Sequence, residues 1–303
     1  MSASLSPVIN SGSSMLLRIV HTTKFVYAGT AQNNFNEVRL RPFDDEFQSC
    51  KRFSLTTWPA SSPREYADFY GNCVYYFDVS ETHRELVVEA QSEIETTPDS
   101  ARRPIPAISF ADLEKSPERE MQAEFMAETQ YVGLTAAIRD EANVALMGIR
   151  KDVWSDVCAI GKHVYNTFKF TPKVTSVATT ADDALKMRRG VCQDYAHVML
   201  GLGRAAGIPM RYASGYFFNP RHEPGTPEAS HAWVEAFIPD YGWAGFDPTH
   251  DRPANERYVK VAMGRDYGDI RPIGGTYRGA PTLSMSVDVA VREIQDDYNE
   301  AAV

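Results

Sequence analysis

The sequence is poor in cysteine, and its cysteines keep apart: Cys50, Cys73, Cys158 and Cys192 form no CxxC pair. That spacing excludes a zinc ribbon and a thioredoxin-type motif. Reduced thiols in a cytoplasm fit it best, with a Cys50–Cys73 disulfide in an exported protein as the competing reading. No apolar run approaches the ~20 residues of a membrane helix. The opening MSASLSPVINSGSS lacks the basic start and apolar stretch of a secretory signal and reads as a loose tail over residues 1–14. Lysine and arginine form no block, and 31 basic against 40 acidic residues leave a net charge of -9, which opposes binding to a polyanion. Neither nucleic acid nor a membrane is expected as a partner. Repeats, heptads and low-complexity segments are also missing, which argues against a structural or assembly protein.

The remainder is ordinary globular material, 43% hydrophobic and 23% charged, long enough for about two self-folding domains. Residues 15–105 read as a β-rich, antiparallel domain: LLRIVHTTKFVY, EVRLRP, FSLTTW, CVYYFDV and ELVVEA are separated by the turn signals NN, DD, PASSP and YGN. The proline-rich TTPDSARRPIP begins an exposed connection, completed by residues 106–130. A second domain, 131–303, follows with a different texture. Val153, Val157, Ile160, Val164 and Phe168 recur at helical spacing, with Cys158 beside the stripe as a small buried hydrophobe. Tyr195, Val198, Met199, Leu202 and Ala206 mark a second helix that Gly207 and Pro209 stop. MRYASGYFF, HAWVEAFI and GWAGFD then read as strands, and YVKVAMG and LSMSVDVAVREI close the domain. The fold class is α+β: a sandwich-like β-rich domain, then helices packed on an antiparallel sheet.

Cys192 stands in RRGVCQDYAHVML, at the first turn of the second helix. Free backbone N–H groups and the positive end of the helix dipole favour an anion there, and a thiolate is such an anion. Asp194, two residues on, points to nearly the opposite side of the helix. A thiolate nucleophile needs an imidazole, and His231 at the start of HAWVEAFI is the best placed. His197 is five positions along the Cys192 helix and reads as structural. His222 and His250 lie in loops and read as solvated, while His21, His83 and His163 have no thiol or carboxylate at a telling spacing.

Asp247, in GFDPTHD, ends the next strand and is the natural acceptor to orient the ring. If residues 238 to 242 form the hairpin loop, Phe237 pairs with Trp243 and Trp233 with Asp247, so Asp247 lies diagonally beside His231 on one face. A four-residue loop, 239 to 242, would turn the carboxylate to the wrong face.

Taken together, GVCQDYAH, GIPMRYASGYF, SHAWVEAFIPDYGW and GFDPTHD resemble the core of the transglutaminase-like superfamily, in a bacterial branch described as candidate cysteine proteases. HTTKFVY, EVRLRP and YADFYGN resemble the β-rich N-terminal region that accompanies this core in bacteria. The resemblance implies a papain-like fold and a Cys-His-Asp triad on Cys192, His231 and Asp247. The phenylalanine usual after the Gln-Asp pair is Tyr195 here. It further implies a thiol-dependent hydrolase of peptide or isopeptide amides working through a thioester. Acyl transfer from glutamine to an amine, or a non-catalytic protein-binding role, are the alternatives.

A peptide or protein is the expected substrate. No cofactor or metal is expected; there is no DxDxDG-type calcium loop, and a metal site from Cys192, His197, His231 and Asp247 lacks zinc spacing. Trp233 and Trp243 read as core more than groove, with Tyr216 open to either role. Glu235 reads as an ion-paired strand residue, and Arg188 and Arg189 as a solvated helix end.

Overall fold

The computed structural model describes residues 14–147, 151–220 and 230–294. Alternation of apolar and polar residues builds the first sheet from β1 (Met15–Val38), β2 (Gln48–Trp58), β3 (Arg64–Ala67), β4 (Cys73–Val79) and β5 (His83–Thr96), in the order β2-β5-β1-β4-β3. From Leu86 to Thr96 every second side chain of β5 is buried, the signature of a sheet covered on one face.

Where the NN signal suggested a break between two strands, β1 runs on. Asn33 takes a left-handed φ of 49° and the register slips between Gln32 and Phe35, so the asparagines bend the strand without ending it. Asn34 donates to the Tyr27 hydroxyl at 2.6 Å and Asn36 to Asn34 at 3.1 Å. Polar side chains that bond one another inside a strand remove the reason for a turn.

Helices α1 (Phe110–Lys115), α2 (Pro117–Met121), α3 (Ala136–Leu146) and α4 (Val153–Thr167) come next. The short strand β6 (Lys169–Phe170), helix α5 (Ala181–Met187) and the strand β7 (Arg189–Gly190) lead into α6 (Cys192–Ala205). A second antiparallel sheet, ordered β11-β10-β9-β8-β12, is made of β8 (Met210–Phe217), β9 (His231–Ile238), β10 (Gly242–Asp247), β11 (Arg252–Pro253) and β12 (Tyr258–Gly264). The apolar stripe of α4 is buried as its spacing predicts. The α6 helix is buried on all sides from Asp194 to Arg204, beyond the one face expected. It lies at the centre of the second core, where Val198, Met199 and Leu202 pack with Ala232, Val234, Ala236 and Ile238 of β9.

The last two strands depart from the expected domain plan. β13 (Ile273–Gly279) and β14 (Thr282–Glu293), assigned from sequence to the second domain, both pair with β1 in the first sheet. β14 lies along Leu17–Tyr27 and β13 along Ala31–Val38. An alternating strand shows which of its faces is buried but carries no mark of its partner. Leu17, Ile19 and Ile94 of the first sheet share a core with Tyr216, Val259 and Val261 of the second. The two halves therefore share buried apolar surface.

Candidate active site

The helix start that carries Cys192 is shaped by two neighbours. Asp194, at the third position of α6, accepts a hydrogen bond from the Val191 backbone N–H at 2.8 Å and another from Thr175 Oγ1 at 2.7 Å. Its carboxylate is thus turned back toward the chain before the helix, where it satisfies one free N–H. Gly190 makes room for this: a Cβ there would lie 2.3 Å from Asp194 Oδ2. Burial raises the Asp194 carboxyl while the Val191 and Thr175 hydrogen bonds oppose the rise. Cys192 is left as the first helical residue, half-buried, at the positive end of the dipole.

The hairpin has the odd register. Phe237 pairs with Trp243 and Val234 with Phe246, which continues to Trp233 opposite Asp247. The ladder runs one pair further than expected, to Ile238 and Gly242, leaving Pro239–Tyr241 as the turn. Asp240 (φ 63°) and Gly242 (φ 94°) supply its left-handed positions. Asp247 therefore shares a face with His231, and His231 Nε2 donates to Asp247 Oδ2 at 2.7 Å. The ring is also hydrogen-bonded to the Cys192 side chain; with Nε2 committed to Asp247, that bond falls to Nδ1. The structure thus brings Cys192, His231 and Asp247 together.

The electrostatics favour a charged ring. Burial resists it, but the hydrogen bonds and charges of Asp247 and Cys192 outweigh burial and raise His231 to about 10. Asp247 is wholly buried. Burial disfavours its charge, yet the hydrogen bonds of His231 and His250 hold the carboxyl far below its usual range. Burial pushes the Cys73 and Cys158 thiols up to about 11, and Cys50 upward as well.

Matches to family models cover both halves of the chain. Residues 144–248 match the transglutaminase-like superfamily, and residues 17–95 the bacterial transglutaminase-like N-terminal region. An uncharacterized protein of Mycobacterium leprae is 33% identical over 283 residues, covering 90% of this chain and 98% of its own length. The chain belongs to the transglutaminase-like superfamily. A protein-glutamine gamma-glutamyltransferase of Pseudomonas aeruginosa is 32% identical over 133 residues, 40% of this chain and 20% of that protein. A crystal structure of a candidate cysteine protease from Cytophaga hutchinsonii has the same fold: TM-score 0.74, 23% identity, 94% of this chain and 93% of that one.

Two residues that sequence reasoning missed also reach Asp247. His250, expected in solvent, donates from Nδ1 to Asp247 Oδ2 at 2.7 Å, and the buried Tyr258 hydroxyl donates to the same oxygen at 2.8 Å. Asp247 Oδ1 accepts from the Thr249 N–H at 2.7 Å. The signal available in sequence was Asp247-Pro-Thr-His250, a tight turn that returns the fourth side chain to the first. His231, Asp247 and His250 offer ligand atoms within 4.8 Å of one another. In this structure the two imidazole nitrogens nearest Asp247 are both hydrogen-bonded to its Oδ2.

The other candidates fall where structural roles place them. His197 is fully buried between Tyr131 and Tyr212, its Nε2 accepting the Tyr267 N–H at 3.2 Å, and burial lowers it to about 4. Glu235 is ion-paired as expected, with Arg211 at 2.6 Å and Lys260 at 3.1 Å. Arg188 is not a free helix end: it forks onto Glu141, which also binds His163. Arg189 is exposed, and His222 lies outside the described residues.

Trp233 is buried, its ring stacked 6.3 Å from that of His231. Tyr216 is buried against His21. Trp243 is half-buried, and with Trp233 it lines a cavity of about 290 Å³ on the Glu235 face of the second sheet.

Proposed function

We propose that this chain is a thiol-dependent hydrolase of peptide or isopeptide amides, with Cys192 as nucleophile, His231 as general base and acid, and Asp247 as the ring's orienter. The observation that carries the reading is the chain of contacts from Cys192 through His231 to Asp247, ending in the 2.7 Å hydrogen bond between Nε2 and Oδ2. In this reading Cys192 Sγ attacks the amide carbonyl and the C–N bond breaks. The His231 Nδ1 proton leaves with the amine, and a thioester remains on sulfur. The Cys192 backbone N–H at the helix start faces the developing oxyanion. Water then attacks the thioester, with His231 taking its proton, and the acid departs as the thiolate is restored.

An amine in place of water would give acyl transfer, a reading favoured by the similarity to the Pseudomonas aeruginosa gamma-glutamyltransferase. A panel of peptide and isopeptide amides, incubated with and without a primary amine and followed by mass spectrometry, tests both. Hydrolysis is expected to release free acid at the same rate in the two arms and to vanish in Cys192→Ala. Product carrying the added amine would assign transfer, and an active Cys192→Ala would overturn the mechanism.

A further inference from the structure

Asp247 has one imidazole more than a Cys-His-Asp unit requires. His231 Nε2 and His250 Nδ1 donate to the same oxygen, Oδ2, each at 2.7 Å. The rings stand 5.2 Å apart, tilted by 50°. A tight turn fixes the second one: Pro248 follows the carboxylate, and the Thr249 N–H donates to its other oxygen. Phe217 of β8 packs against the His250 ring at 4.9 Å.

Exposure separates the two imidazoles. The His231 side chain is 11% exposed and Asp247 not at all, whereas His250 is 36% exposed. His250 is therefore the imidazole of this trio that meets water. The titratable or charged groups around it are Asp247 on β10, His231 on β9, Tyr258 on β12, which shares Oδ2, and Arg252 on β11, which lies 5.9 Å over the Phe217 ring.

We propose that His250 is a positioning residue for the Cys192–His231 pair. Its Nδ1–H donates to Oδ2 and, with the Tyr258 hydroxyl and the Thr249 N–H, holds the Asp247 carboxylate turned toward His231. Held so, the carboxylate keeps the His231 ring aligned with Cys192. The proposal rests on the reading of Cys192 and His231 as a thiolate–imidazolium pair.

The test needs no known substrate. In the full-length chain, the rate of iodoacetamide alkylation at Cys192 is followed near neutral pH by peptide mapping, for wild type, His250→Asn and His250→Ala. Asparagine keeps an N–H donor where alanine has none. His250→Ala is expected to lower the rate several-fold with the circular dichroism spectrum unchanged, and His250→Asn to restore most of it. A His250→Ala rate equal to wild type, or an asparagine variant as slow as the alanine one, would overturn the proposal. A wild-type Cys192 no more reactive than Cys50 would overturn the thiolate reading itself, and this proposal with it.

Discussion

At the scale of single residues, the thiol at position 192 is set apart from three others by its surroundings. Cys50, Cys73 and Cys158 are held in the thiol form by burial, whereas Cys192 opens a helix beside a charged ring. Near neutral pH iodoacetamide should therefore modify Cys192 first; peptide mapping that finds another cysteine ahead of it would count against the assignment. Asp247→Asn should leave the fold intact and lower turnover by about 10³–10⁴-fold, since an amide admits the wrong ring tautomer and cannot stabilise an imidazolium. Circular dichroism and kcat on a responsive amide would check both halves.

Cys192, His231 and Asp247 were legible because each stands at an element boundary that the sequence marks: a glycine before a helix, a histidine opening an alternating run, an aspartate before proline. Tyr258 was not, because it comes from β12, and no local pattern says which strand lies beside β8. His250 was hidden by its polar loop, although its i+3 spacing from Asp247 is the turn that brings it home.

Among elements, the β9–β10 hairpin carries the largest geometric consequence. Side chains alternate along a strand, so loop length alone decides whether Asp247 meets His231. Deleting Asp240 should shift the register by one and turn the carboxylate away. The expected result is a folded protein whose Cys192 alkylation rate falls toward that of an ordinary thiol, and retention of the wild-type rate would refute the register argument. The start of α6 is the second sensitive point. Gly190→Ala would drive a methyl group into Asp194, and losing that hydrogen bond at the helix start should cost about 1 kcal/mol by urea unfolding. Helices α4 and α6 were readable from apolar spacing. The continuous β1 was not, because Asn33, Asn34 and Asn36 look like a turn until their buried partners are seen.

Across the whole molecule, buried imidazoles of opposite behaviour set the pH of greatest stability. Burial lowers His21 and His197 from 6.5 to about 4, so between those values the unfolded chain takes up protons that the folded chain refuses. Their contribution is complete above pH 6.5 and is lost as pH falls toward 4. His231, raised to about 10, contributes stability that is complete below 6.5 and lost as pH rises through 10. Urea midpoints should therefore peak near pH 6.5. Asp247→Asn should flatten the alkaline side, because its His231 loses the carboxylate that raises it. A midpoint that keeps climbing above pH 8 would contradict the assignment.

The return of β13 and β14 to β1 has a further consequence, in the order of synthesis. Ribosomes add about 5–20 residues per second, so β1 emerges with one side open and waits on the order of tens of seconds for the strands that close it. Until residue 293 is released, the ladder that Leu17–Tyr27 offers to β14 is an unguarded edge, available to any other nascent strand. A premature stop near residue 272 would spare every residue of the Cys192 site and still yield a polypeptide that aggregates or requires a chaperone.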